Sequence, residues 1–241
     1  MLESVAVGSV TFRNVPIMVS DLHSFRGLKK GLLGTGFLKR FNCAIDVRAE
    51  MMELFPLDRP DLLRANINWA AVEAEVPLYL FDATTVEAVL EGAPSGLFIL
   101  DSAAATHLVD SAFYLEHLKS AIDPSRITPN RITGAQGAQN VNRIVDLSIR
   151  LGSLVFNKQE AQELSMDALN SITGRYTAGL LGNPLLWPYR THFDFRAGKL
   201  ILEKHREPPR VLSGRDNDGG KLSFRPTNGS LPGRPLWAPR R

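Results

Sequence analysis

The chain has 241 residues, 44% of them hydrophobic, which is enough for one large domain or two small ones with real cores. Its net charge of +3 does not indicate a nucleic-acid partner, because many arginines follow residue 204 instead of forming a folded basic face. The single cysteine, Cys43, excludes an internal disulfide and a multi-cysteine metal site, and we expect it to be buried.

Short apolar stretches separated by Gly, Pro and Asn predict a β-rich fold. They lie at 5–10, 15–19, 76–80, 86–90, 97–100, 144–156 and 200–202. The spacing of Leu108, Ala112 and Leu115 predicts an amphipathic helix over 104–119, and a second helix is predicted around 159–172. No apolar run approaches the about 18 residues of a membrane span, so the sequence predicts none in this chain.

The most informative feature of the sequence is an internal repeat. GLLGTGFLKRFNCAIDVRAEMMEL at 31–54 aligns with GLLGNPLLWPYRTHFDFRAGKLIL at 179–202, an offset of 148 residues (179 − 31). VGSVTF at 7–12 aligns with LGSLVF at 151–156, an offset of 144 residues (151 − 7). Two segments in the same order with nearly the same offset indicate two versions of one domain.

The repeat and the composition predict four parts of the chain. They are the later half of a first lobe at 1–58, a linker at 59–75, a complete second lobe at 76–204 and a disordered basic tail at 205–241, rich in Pro, Gly and Arg. The partner of LFILDSAAATHL, residues 97–108, would lie ahead of Met1 at these offsets. We therefore expect the front of the first lobe to be missing from these 241 residues.

Asp101 ends an apolar stretch and is followed by the small residues Ser102, Ala103, Ala104 and Ala105. Considered alone, an aspartate between a strand and a helix is usually a helix cap. Here the carboxylate stands at the end of a predicted buried strand, with room around it for a substrate or an opposing backbone. Burial would raise the pKa of such a group unless hydrogen-bond donors compensate.

The ordered set LFILDSAAAT, TGAQGAQN (133–140), LGSLVF and AGLLGNPLL followed by HFDFRAGKLIL resembles bacterial aspartyl proteases of the retropepsin and pepsin type. The likeness covers 76–204 as one lobe and 1–56 as the later half of another. It implies an all-β, acid-protease barrel lobe with one or two short helices. It also implies hydrolysis of a peptide or unfolded protein substrate without a cofactor or metal. Bacterial members are often exported, so the resemblance suggests an exported or periplasmic protein, although no signal peptide is visible and the sequence itself leaves the compartment unknown.

The resemblance implies a role for each matching residue. Asp101 would be the catalytic aspartate, supported by Ser102 and by Ala103, which replaces the usual glycine of the family motif. The tip of a substrate-binding flap would consist of Gly134, Ala135, Gln136 and Gly137. The apolar-apolar-Gly segments at 32–34 and 180–182 would support the catalytic loops without reacting.

A protease of this type needs two carboxylates, one ionised and one protonated. Asp46 and Asp194 are predicted to be turn or surface residues, and Asp110, with His107, is predicted to lie on a solvated helix face. The second carboxylate is therefore expected from outside these residues: from an upstream segment, which we favour, or from Asp101 of a second copy in a homodimer. If there is none, the chain is an inactive, protease-like peptide-binding module or a gene fragment.

The other candidate motifs are weak. GAPSG (92–96) has proline at the nucleophile position of a serine hydrolase, and GTG (34–36) lacks the rest of a dinucleotide loop. The five histidines show no metal-ligand spacing. We interpret all of these as structural.

Overall fold

A computed structural model describes residues 2–7, 10–17, 32–134, 137–205 and 223–224. The strands are β1 Leu2–Val7, β2 Val10–Val15, β3 Phe41–Asp46, β4 Met51–Pro56, β5 Val72–Pro77, β6 Tyr79–Leu80, β7 Thr84–Leu90, β8 Gly96–Asp101, β9 His107–Asp110, β10 Ile127–Gly134, β11 Gly137–Leu151, β12 Leu154–Leu164, β13 Gly179–Gly182, β14 Tyr189–Asp194, β15 Lys199–Lys204 and β16 Ser223–Phe224. The predicted tail, 205–241, lies outside the described residues except for His205 and β16.

Helices are few and short, which confirms the all-β prediction. They are α1 Thr35–Leu38, α2 Pro60–Asn66, α3 Ser111–Phe113, α4 Asp167–Thr173 and α5 Asn183–Leu186, with a π-helical turn at Tyr114–Leu118 and 3-10 turns at Trp69–Ala71 and Pro124–Arg126. None of the helices in the described ranges is long and apolar enough to span a membrane.

The larger sheet closes into a barrel. Its strand order is β10-β11-β12-β9-β13-β8-β7-β6, and an additional pairing of β11 with β7 joins the two ends into a ring of six strands. Phe98, Ile144 and Leu181 fill the interior and are fully buried. Full burial of a side chain of this size contributes about 1.5–3 kcal/mol, so this core contributes strongly to the stability of residues 76–204.

The short strand β13 lies beside the end of β8, where Gly182 is opposite Asp101. It lies between β8, with which it runs parallel, and β9, with which it runs antiparallel. Parallel neighbours are buried on both faces, which explains why β8 and β13 are both continuous apolar runs without alternation. The loop from β8 to β9 must therefore pass around the end of β13.

The second sheet combines strands from the early and the late parts of the chain. Its order is β16-β4-β3-β14-β15-β5, so the hairpin β3–β4 pairs edge to edge with the hairpin β14–β15. At the centre, Ala44 stands opposite His192, which is also its equivalent in the repeat (192 − 44 = 148). A local two-fold axis therefore passes between these two residues and exchanges the two hairpins.

The elements of residues 34–56 recur at 182–204 with the offset found in the sequence. Helix α1 corresponds to α5, β3 to β14 and β4 to β15, each with both ends shifted by 148 residues. The hairpin β1–β2 likewise matches β11–β12, since the closing pairs Val7–Val10 and Leu151–Leu154 are separated by 144 residues. The sequence similarity thus corresponds to the same local backbone structure in both places.

Two helix predictions need correction. The predicted helix at 104–119 begins only at Ser111, because residues 107–110 form β9 between β12 and β13. The predicted helix at 159–172 begins only at Asp167, because β12 continues to Leu164. In both cases pairing with neighbouring strands outweighs the local helical spacing.

The predicted strands at 5–10 and 144–156 are also interrupted. β1 ends at Val7 and β2 starts at Val10, while β11 and β12 are separated by a turn in which Gly152 has a φ of 58°. In the predicted strand at 15–19, residues 16 and 17 are not in a strand, and 18 and 19 lie outside the described residues.

Candidate active site

Asp101 is the last residue of β8 and lies opposite Gly182 of β13. Its side chain is partly buried, and its Oδ1 accepts a hydrogen bond from the backbone N–H of Ala103 at 2.8 Å. The backbone N–H of Ala104 donates to the Asp101 carbonyl oxygen at 3.2 Å, which closes a tight turn. The chain then enters β9 rather than a helix, so Asp101 is not a helix cap.

Ser102 and Ala103 form the turn that follows the carboxylate. Ser102 is partly buried and Ala103 is exposed. Ala103 is not among the residues with positive φ, so an alanine fits this backbone without the strain that a left-handed conformation would impose. An alanine at this position therefore does not distort the loop. The supporting roles of both residues remain predictions.

Gly182 packs directly against the back of the Asp101 loop. A Cβ atom built at this position would lie 2.3 Å from the Thr106 carbonyl oxygen and 2.7 Å from that of Ala104. The next residue, Asn183, donates its backbone N–H to the Ala104 carbonyl oxygen at 2.8 Å. The loop that carries the carboxylate is thus held against β13 and the start of α5 by close backbone contacts.

His107 provides a second attachment of this loop. Its side chain is buried, its Nδ1 accepts the backbone N–H of Gly182 at 2.9 Å, and its Nε2 lies 3.2 Å from Oε1 of Gln159. Because Nδ1 accepts and an amide oxygen faces Nε2, the neutral tautomer with hydrogen on Nε2 satisfies both contacts. Burial lowers the pKa of His107, and the hydrogen bond to Gln159 offsets only part of this shift. The lowered pKa favours the same neutral form.

The prediction of a solvated helix face for His107 and Asp110 is therefore wrong. Asp110 is buried, and its carboxylate accepts hydrogen bonds from the backbone N–H of Met166 at 2.9 Å and from the Tyr176 hydroxyl at 3.2 Å. It also accepts the N–H of Phe113 at 3.4 Å as the cap of α3. Burial, followed by the charge of Asp110, raises the pKa of Tyr176 to about 12. Asp110 is a structural carboxylate.

Asp46 and Asp194 are turn residues, as predicted. Each accepts a backbone N–H three residues later at 2.9 Å, from Ala49 and from Ala197 respectively. They are only 9% and 2% exposed, so the turns are packed against the protein and the two carboxylates are not surface groups. Each carboxylate is thus engaged in a hydrogen bond within the turn of its own hairpin.

The predicted flap coincides with the hairpin of β10 and β11. Gly134 pairs with Gly137 as the last pair of the ladder, and the tip residues Ala135 and Gln136 lie outside the described residues. A groove of about 770 Å³ runs along the base of this hairpin and is lined mainly by polar residues, among them Asn130, Arg131 and Glu163. Asp101 does not line this groove, so the candidate site is defined by the carboxylate and not by the groove.

The apolar-apolar-Gly segments have different surroundings in the two repeats. Leu180 and Leu181 are 6% and 0% exposed within the barrel. Their equivalents Leu32 and Leu33 are 57% and 43% exposed. A Cβ atom at Gly34 would meet nothing within 4 Å, in contrast to Gly182. The supporting residues predicted for the second lobe are thus assembled around Asp101, whereas those predicted for the first lobe are largely exposed within the part of the chain that the structure describes.

The arrangement around Asp101 suits acid–base chemistry on a bound water or substrate. The carboxylate has one oxygen held by a backbone donor and is partly open to solvent. Among the described residues, no group of three or more His, Cys, Asp or Glu side chains is arranged to hold a metal ion. Cys43 is buried, and burial raises the pKa of its thiol, which makes it a poor nucleophile.

No protein-family model matches the sequence, and neither does any curated protein. Among solved structures, the chain is similar to a retropepsin-like aspartic protease from Rickettsia conorii. The two chains are 17% identical, the match covers 55% of this chain and 94% of that protein, and the TM-score is 0.38. The assignment of a function therefore rests on the geometry of the Asp101 loop.

Proposed function

We propose that this chain is part of an aspartic-type endopeptidase in which Asp101 supplies one of two catalytic carboxylates. The observation that carries the proposal is the position of Asp101, whose partly exposed carboxylate lies on a turn that is held against Gly182 of β13 and Asn183 of α5. A side chain with only a structural role would not need an open carboxylate on so firmly held a loop. The substrate is a peptide or an unfolded protein.

The chemistry requires a second carboxylate beside Asp101. Two such groups within hydrogen-bonding distance do not both ionise, so one acts as general base toward a water and the other as general acid toward the leaving amine. The carboxylates of Asp46, Asp110 and Asp194 are all engaged elsewhere in the structure. We propose that the partner of Asp101 belongs to a half lobe that completes residues 1–58.

The domain organisation proposed from the sequence is supported by the second sheet. The hairpin β3–β4 and the hairpin β14–β15 are exchanged by the local two-fold axis at Ala44 and His192. This is the relation that two lobes of one protease would have, with residues 1–58 as the later half of the first lobe and 76–204 as the second. Residues 59–75, proposed as a linker, contain α2 and the first strand residues of β5.

The hairpin of β10 and β11 is the proposed flap, with Gly134, Ala135, Gln136 and Gly137 at its tip. Pairing continues to Gly134 and Gly137, which leaves a two-residue connection of the kind that forms a tight hairpin. Such a tip can place its backbone over an extended peptide. Ser102 and Ala103 would hold the catalytic turn beneath it.

A second candidate function is peptide binding without cleavage. It is favoured by the carboxylates of Asp46, Asp110 and Asp194, which are all engaged in hydrogen bonds elsewhere in the structure. In this case the surface around Asp101 would hold an extended peptide, and Asp101 would contribute only a hydrogen bond or a charge. A homodimer in which each copy provides Asp101 is the alternative source of two carboxylates.

The test is cleavage of a reduced, carboxymethylated protein between pH 3 and pH 7 by the longest expressible form of the protein. Asp101→Asn is expected to abolish cleavage, because the amide can act neither as base nor as acid. Asp123→Asn is the matched control, since Asp123 is an exposed turn residue bonded to the backbone N–H of Ser125. Equal cleavage by the Asp101→Asn protein would refute the endopeptidase. Binding of a peptide without turnover would support the second candidate.

A further inference from the structure

We propose that residues 165–177, which lie between β12 and β13 and contain α4, form a movable strap over the apolar surface beside Asp101, and that a bound peptide displaces this strap. In the closed state seen here the strap blocks the site, and in the open state the apolar surface receives a side chain of the peptide. The inference deepens the proposed function and rests on it in one respect, namely that the peptide binds at Asp101.

The carboxylate of Asp101 shares one face of the sheet with an apolar surface. Ile99 lies two residues before Asp101 on β8 and is paired with Leu180 of β13, which is paired in turn with Leu108 of β9. Residues two apart in a strand, and residues directly paired across strands, point to the same face. Two residues of a strand span about 7 Å, so an extended peptide whose scissile bond faces Asp101 has a neighbouring side chain over Ile99.

The strap covers this apolar surface. Met166 and Leu169 of the strap pack with Ile99 and Leu180 in an apolar cluster that is separate from the interior of the barrel. Met166 is 3% exposed, and Ile99 and Leu180 are each 6% exposed, so little of the surface is open to a further side chain. The strap therefore occupies the space that a side chain of a bound peptide would need.

The strap lies outside the strand ladder of the barrel. β12 ends at Leu164 and β13 begins at Gly179, and α4 between them has only about two turns. A helix this short has little stability of its own. It ends at Gly174, which has a left-handed φ of 64°, and Ala168 and Ser171 on its outer side are exposed. The strap can therefore leave the surface without breaking a strand pairing.

One carboxylate fastens both ends of the strap. Oδ1 of Asp110 accepts the backbone N–H of Met166 at 2.9 Å, and Oδ2 accepts the Tyr176 hydroxyl at 3.2 Å. Since Met166 and Tyr176 lie at opposite ends of the strap, Asp110 holds it closed. Tyr176 is 57% exposed, so removal of its hydroxyl weakens this fastening without altering the apolar surface beneath the strap.

Native-state hydrogen exchange measures the opening of the strap without any substrate. Tyr176→Phe removes the hydroxyl and keeps the ring. We expect the amides of Met166 and Asn170 to exchange about fivefold faster in this variant, which is the effect of about one hydrogen bond, because both amides are bonded within the closed strap. The amides of β8 and β11 should exchange at unchanged rates.

Tyr189→Phe is the matched control for this experiment. The Tyr189 hydroxyl also donates to a carboxylate, that of Glu73 at 2.9 Å, but it lies in the second sheet. We expect exchange of the strap amides in this variant to equal that of the unaltered protein. Exchange of the strap amides that stays unchanged in the Tyr176→Phe protein would overturn the proposal.

Cleavage of a reduced, carboxymethylated protein tests whether the substrate needs the open strap. If binding requires opening, the apparent affinity is proportional to the open fraction as long as that fraction is small. Tyr176→Phe should therefore lower KM about fivefold and leave kcat unchanged, while Tyr189→Phe alters neither. An unchanged or raised KM together with faster exchange would overturn the proposal, because the strap would then be a fixed wall of the site.

Failure of the strap is distinguishable from failure of the proposed function. If no form of the protein cleaves, the same carboxymethylated protein, labelled with fluorescein, is bound to the Asp101→Asn protein with and without Tyr176→Phe. Binding that Tyr176→Phe tightens about fivefold would support the strap although the endopeptidase is refuted, and an absence of binding to both proteins would overturn both proposals. Cleavage that depends on Asp101, with exchange and KM unchanged in the Tyr176→Phe protein, would support the endopeptidase and refute the strap.

Discussion

Replacing Gly182 by alanine should destabilise the protein strongly, while the same change at Gly34 should not. At Gly182 the new Cβ atom would lie 2.3 Å and 2.7 Å from two carbonyl oxygens, whereas ordinary van der Waals contact begins at 3.4 Å. The backbone must therefore move by about 1 Å, since no flexible side chain is available to yield. Overpacking of this kind costs about 3 kcal/mol. Loss of the hydrogen bond from Gly182 to His107 adds about 1 kcal/mol.

Gly34→Ala is the matched control for this prediction. Position 34 has extended backbone, and a Cβ atom added there would have no neighbouring atom within 4 Å, so we expect a change within about 1 kcal/mol, and in the stabilising direction. Urea unfolding of the three proteins, followed by circular dichroism, measures the difference through the midpoint at constant slope. A Gly182→Ala protein as stable as the Gly34→Ala protein would refute the close packing of the Asp101 loop on β13.

Three further predictions concern buried polar groups. His107→Ala should lower the free energy of unfolding by about 2–3 kcal/mol, because it leaves the N–H of Gly182 without an acceptor and opens a cavity; urea unfolding measures the loss. Burial lowers the pKa of His107 and His192 below the unfolded value of about 6.5, so the unfolded chain binds more protons at acid pH. Stability should therefore fall as the pH drops below about 6.5, by up to about 1.4 kcal/mol per pH unit for each histidine, and a stability profile that is flat between pH 7 and pH 5 would contradict this. Asp110→Ala should lower the free energy of unfolding by about 3 kcal/mol, because the buried N–H of Met166 loses its acceptor. Thermal unfolding followed by calorimetry measures this loss, and an unchanged transition temperature would contradict it.

The parts of the fold that could be predicted are mainly those that lie in the internal repeat of the sequence. Residues identical at an offset of 148 gave the correspondence of the two hairpins, and the turn role of Asp46 and Asp194 followed from the same alignment. The strand that ends at Asp101 could also be predicted, since its apolar run and the small residues after it are local signals. These features need no knowledge of distant contacts.

The parts that were missed depend on partners far along the chain. Residues 107–110 share a helical spacing with the residues after them, yet they form β9 because two other strands supply hydrogen-bond partners on either side. The burial of Asp110 depends on Met166 and Tyr176, which lie 56 and 66 residues away in the sequence. Nothing within a local window indicates such partners, and a histidine or aspartate in isolation is more often exposed.

The residues at the centre of the second sheet have diverged in a way that affects how such a protein can assemble. Ala44 faces His192 across the axis, and the imidazole is buried with Nε2 at 2.7 Å from Glu203. Directly opposed residues in antiparallel strands bring their Cβ atoms to within about 5.5 Å. If two identical strands met here, two buried rings would compete for one space, whereas an alanine leaves room for one ring and its carboxylate partner. The sheet is therefore built for two unlike halves, and self-association through this seam is disfavoured by the residues that line it.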